Sequence, residues 1–76
     1  MELNDFVSAF ADQFDDTDPS QINASTVFHD LDEWSSLLAL SIIAMAKTEL
    51  GTTLTGKEIN SCVTVEDLYN LIESKE

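Results

Sequence analysis

From Ser36 to Leu50 the chain reads Ser-Leu-Leu-Ala-Leu-Ser-Ile-Ile-Ala-Met-Ala-Lys-Thr-Glu-Leu, with no glycine or proline and many strong helix formers. A run of this length and composition has one stable local form, a helix. Ser35 stands where a hydroxyl oxygen can accept a bond from a first-turn amide, and Gly51 stands where the chain must leave through the left-handed region. On a helical wheel Ala39, Ile42, Ile43, Ala46 and Leu50 form a face suited to a core. Leu37, Leu40, Ser41, Ala44 and Thr48 fall mostly on another face, which is greasier than contact with water requires.

The flanking sequence supplies partners for this helix. Leu3, Phe6, Val7, Phe10 and Phe14 recur at helical spacing, which predicts a first helix over about residues 2–14. Asp15 to Ser36 holds turn and cap formers (Asp-Asp-Thr-Asp-Pro-Ser, Asn-Ala-Ser) with Ile22, Val27, Phe28, Leu31 and Trp34 scattered among them. This segment reads as a long loop pinned by hydrophobic anchors, a length that compact domains seldom keep without a use. Gly56 to Asn60 allows one short helical turn, and Thr64-Val65-Glu66-Asp67 carries a capping pattern that opens a last helix over about Val65 to Ser74. The expected fold is all-α, a small antiparallel bundle of three main helices plus one short one, forming a single domain over residues 1–76.

Size and charge narrow the function. A chain of 76 residues buries too little surface to enclose a deep enzyme cleft, while 43% hydrophobic residues suffice for a core. Fifteen acidic residues face three lysines and no arginine, a formal net charge of −12 that repels phosphate backbones and anionic membranes. Nucleic acid and membrane insertion are thereby disfavoured, and proteins with basic patches are the expected partners. One cysteine, no basic leader and no bilayer-length apolar run lead to a cytoplasmic expectation.

Isolated chemical residues read blandly. Asp15, Asp16 and Asp18 lack the glycine and terminal glutamate of a calcium loop, so they read as a solvated turn. His29 has no catalytic neighbours and reads as a surface histidine. Cys62, between Ile59 and Val63, reads as a core thiol. Trp34 reads as an aromatic anchor of the long loop.

The entrance of the second helix, Phe28-His29-Asp30-Leu31-Asp32-Glu33-Trp34-Ser35-Ser36-Leu37, resembles the acyl carrier and peptidyl carrier protein family. That family's signature is Asp-Ser-Leu, preceded in one branch by glutamate and tryptophan. Asn23-Ala24-Ser25, Asp30-Leu31, Glu49-Leu50-Gly51, Leu54 and Val63-Thr64-Val65-Glu66-Asp67-Leu68 extend the likeness over nearly the whole chain. The resemblance implies a carrier that is not itself an enzyme, with 4′-phosphopantetheine from coenzyme A joined covalently to Ser36. A phosphopantetheinyl transferase would attach the arm, and loading and transferring enzymes would exchange acyl or aminoacyl groups on its thiol. Leu37, Leu40, Ala44 and Met45 are the expected docking residues, and the carrier is expected to work as a monomer.

Two departures from the family pattern bear on function. Ser35 replaces the aspartate; it can still cap the helix, but the charge beside the attachment point is gone. No acid occurs from Trp34 to Thr48, and Lys47 lies in that span, so docking should rest on apolar contact, as in a specialised lipid or polyketide pathway. Two alternatives stay open: a peptidyl or aminoacyl carrier serving an adenylating enzyme, and an unmodified adaptor of the same fold. No convergent acid, base and nucleophile supports a third, an enzyme.

Overall fold

A computed structural model describes residues 2–75. The described residues form helices α1 (Leu3–Ala11), α2 (Ser36–Leu50), α3 (Gly56–Ser61) and α4 (Val65–Ser74), with single 3₁₀ turns at Pro19–Gln21 and Phe28–Asp30. They contain no named strand, and the all-helical expectation holds. Cα extents are 30 × 24 × 21 Å.

The helix ends follow from side-chain chemistry. Ser35 caps α2 by accepting from the Leu38 amide at 3.4 Å. At the other end the Gly51 and Thr52 amides both return to the Ala46 carbonyl, with Gly51 at φ +66°. A Cβ at that φ is strained, which is why glycine ends the helix. Full capping boxes open α3 and α4: Thr55 and Thr64 accept from the Glu58 and Asp67 amides, and those carboxylates accept from the threonine amides. The Lys75 ammonium ties the end of α4 to α3, lying 2.6 Å from Glu58 and donating to the Thr53 carbonyl at 2.9 Å.

The core is one cluster that combines aromatic and aliphatic side chains. Phe6, Phe10 and Phe28 are fully buried, as are Ile42, Ile59, Val65 and Leu68. Phe10 sits among four rings, its centroid 6.1 Å from Phe6, 5.5 Å from Phe14, 5.6 Å from Phe28 and 6.4 Å from Trp34. Tyr69 reaches Phe6 at 5.7 Å, joining α4 to α1.

Helix α1 stops earlier than its periodicity predicts. After Ala11 the Gln13 and Phe14 amides bond to Phe10 and Ala11, three residues back, and the chain turns out of the helix while Phe14 stays buried. The next amides are drawn off by Glu33. The long loop is held largely as expected, with Ile22 and Phe28 buried and Leu31 and Trp34 half-buried. Val27 departs from this pattern: its side chain is exposed and its backbone bridges Thr64 instead. The Thr26 and Ala24 carbonyls accept from the Val65 and Glu66 amides, so the loop satisfies the first donors of α4.

Candidate functional site

The entrance of α2 is an exposed corner carrying two adjacent hydroxyls. Ser35 is spent on the cap, its carbonyl also accepting from Ala39 at 3.0 Å. Ser36 is the first helical residue; it is exposed, and its hydroxyl has no hydrogen-bond partner among the described residues. The Ser36 and Leu37 amides have no acceptor within the helix, so this corner carries the positive pole of α2 and favours an anionic group. Replacing Ser35 by alanine is expected to cost about 0.5–1 kcal/mol, at the low end for caps given the long bond, while aspartate should hold stability. Urea titrations of the two variants check this; equal stability of both would contradict it.

Two fastenings hold the corner from behind. Trp34 lies parallel to Phe10 (9° between planes) and edge-on to Phe28 at 4.9 Å, so the anchor expectation is met. Glu33 accepts from the Asp15 amide at 2.8 Å, the Asp16 amide at 3.0 Å and the Thr17 hydroxyl at 2.8 Å. Desolvation works to raise the Glu33 pKa, but the Thr17 hydroxyl and neighbouring amides together outweigh it and hold the carboxyl below its ordinary value. No local sequence signal announces this clasp, because its donors lie 16 to 18 residues away.

A cleft of about 500 Å³ includes Ser36 in its lining, together with Trp34, Ala39, Leu40 and Ile43 and with Gly56 and Asn60 of α3. Along the outer flank of α2, Leu37 is 74% and Leu40 62% exposed, and Ala44 is exposed too. The Ser41 and Thr48 hydroxyls bond back to the Leu37 and Ala44 carbonyls, which leaves this flank apolar in character. Met45 does not belong to it: at 3% exposure it is a core residue, and the docking expectation for it is corrected. Leu38, assigned to neither face, is also buried.

The remaining candidates settle into structural roles. His29 is half-buried rather than a surface residue, with Nε2 donating to the Cys62 carbonyl at 3.1 Å and its ring against Phe28. Cys62 is buried, and that burial pushes its thiol pKa up, away from nucleophilic use. Asp18 caps the Pro19–Gln21 turn through the Ser20 amide, the bond that chiefly lowers its pKa. Among the described residues no group of three or more His, Cys, Asp or Glu could hold a metal ion, and no helix is long and apolar enough to cross a membrane.

Comparison with known proteins gives one family. The model of the phosphopantetheine attachment site matches residues 4–72, a span from α1 through most of α4 that includes the Ser36 corner. No curated protein and no solved structure matches the chain significantly. Spanning nearly the whole chain and agreeing with the all-helical fold, the match places this protein in the phosphopantetheine attachment family, whose domains bear a covalent 4′-phosphopantetheine and carry acyl groups without catalysing their chemistry.

Proposed function

We propose that Ser36 bears the arm and that the protein carries acyl or aminoacyl groups as thioesters for a specialised biosynthetic pathway. The supporting observation is the free, exposed hydroxyl on the first residue of α2, in a chain whose family takes this group covalently. The residues suit the group: a phosphodiester on Ser36 meets the positive end of α2, and the cleft offers an arm an apolar wall. The arm, when present, supplies a thiol for thioester formation.

Attachment requires the Ser36 oxygen to attack the coenzyme A phosphorus nearest the pantetheine, with adenosine bisphosphate leaving and the hydroxyl proton passing to a base. Ser36 has no such base at hand. His29 is engaged with Cys62, Glu33 with the loop, and no acid lies on α2 before Glu49, so base and phosphate activation must come from a transferase. The chain contributes the acceptor, its placement, and Leu37, Leu40 and Ala44 as an apolar docking flank.

Intact-mass measurement after incubation with coenzyme A and a broad-specificity transferase tests the reading. One added phosphopantetheine is expected on the natural chain and on Ser35→Ala, and none on Ser36→Ala. An unchanged natural chain across several transferases would instead support the adaptor reading, which Ser35 in place of the family aspartate favours. With the arm in place, transfer of a labelled amino acid by an adenylating enzyme separates aminoacyl from acyl cargo.

A further inference from the structure

Glu33 is unusual among the acids of this chain in spending both carboxylate oxygens across the fold. Oε2 takes the Asp15 amide, and Oε1 takes the Asp16 amide and the Thr17 hydroxyl. Two successive amides and a hydroxyl converging on one carboxylate form a small anion cradle, built on the turn that follows α1. Asp15, Asp16 and Asp32 place further negative charge close in sequence, and the Glu33 carboxylate is nonetheless seated on three donors.

The clasp matters for where it acts. Residues 12–35 separate α1 from α2, a connection long enough to let the α2 entrance wander, and Glu33 closes it three residues before Ser36. Trp34 fixes the entrance to the Phe10, Phe14 and Phe28 rings through packing, a contact without the directionality of a hydrogen bond. Adding Glu33 on the backbone of residues 15–17 supplies a second point of attachment, and two points set orientation as well as position. Because the clasp lies near the surface, its contribution to global stability is small while its constraint on the entrance is local.

We infer that Glu33 is a positioning residue for the acceptor serine, holding the first turn of α2 at a fixed orientation to the end of α1; this rests on the reading of Ser36 as the attachment point. Catalysis by a separate enzyme is sensitive to such placement, since an acceptor displaced by about 1 Å can lose up to roughly a hundredfold in rate.

The test compares Glu33→Ala, Glu33→Gln and a control, Thr64→Ala, which removes a capping box at the start of α4. Two readouts are taken on the full chain well below its unfolding temperature: transferase kcat/KM with coenzyme A, and hydrogen exchange at the Leu38 and Ala39 amides, both bonded to Ser35. Glu33→Ala should lower kcat/KM about tenfold or more and speed exchange at those amides, with Glu33→Gln between it and the natural chain because one acceptor remains. Thr64→Ala should lose stability yet leave both readouts unchanged. Natural exchange and kinetics in Glu33→Ala, or equal losses in Thr64→Ala, would overturn the inference. If the natural chain accepts no arm, the attachment reading fails, and exchange alone then decides whether Glu33 orients the entrance.

Discussion

Phe10→Ala should cost about 3–5 kcal/mol, enough to remove most of the cooperative fold. Phe10 is fully buried and is the ring on which Phe6, Phe14, Phe28 and Trp34 converge. Truncation removes the burial of one phenyl group and also its tilted, edge-on and parallel contacts with four neighbouring rings, a well-placed aromatic pair being worth roughly 0.5–1.5 kcal/mol beyond area. A natural domain has only about 5–15 kcal/mol in reserve, and small ones lie toward the lower end. The melting temperature should fall by about 15 °C or more, or no transition should be seen. Phe10→Leu keeps most of the volume and should retain a folded state. Trp34 makes the event visible, since losing its parallel neighbour exposes the indole and changes its fluorescence. A loss under about 1 kcal/mol would mean that the aromatic cluster repacks and is not the hinge of the fold.

The same cluster shows why some of this architecture can be read from the sequence and some cannot. Helices α2 and α4 start and stop where Ser35, Gly51 and Thr64 say they should, because caps are local chemistry written within four residues. The end of α1 misled, since the apolar period runs on to Phe14 while the backbone leaves after Ala11. The chain leaves through tight turns at Gln13 and Phe14, and the amides that follow, at Asp15 and Asp16, bond to Glu33, distant in sequence and close in space. The loop's bridge from Val27 to Thr64 is hidden from local sequence for the same reason, its partner lying far along the chain.

Within the candidate site, legibility split along similar lines. Ser36 at the first position of α2 followed from the cap and the Ser-Leu pair, and the exposure of Leu37 and Leu40 followed from the wheel. Leu38 and Met45 did not, because α2 is apolar on nearly every side and a wheel without polar contrast cannot say which face turns inward. His29 was misplaced because its partner is a backbone carbonyl, and a carbonyl leaves no trace in side-chain identity.

Leu37→Ala combined with Leu40→Ala should reduce transferase kcat/KM by about thirtyfold to a hundredfold while leaving the fold intact. The two side chains are 74% and 62% exposed and lie three residues apart on one flank of α2, which continues to Ala44. Burying an exposed leucine against a partner yields up to about 1.5–3 kcal/mol, and well-packed anchors typically cost 1 kcal/mol or more on truncation. Electrostatics does not replace this contact, since no acid lies on the helix before Glu49 and the net charge of −12 is spread over the rest of the chain. That field raises the encounter rate with a basic partner, and salt screens it. An apolar contact through the two leucines would act on the lifetime of such a complex and is expected to resist salt. Raising ionic strength is therefore expected to slow the natural chain and the double variant by the same factor, with the gap between them preserved. Both proteins should unfold within about 0.5 kcal/mol of each other, as expected for exposed positions. A double variant modified at the natural rate would show that partners approach the serine from another side.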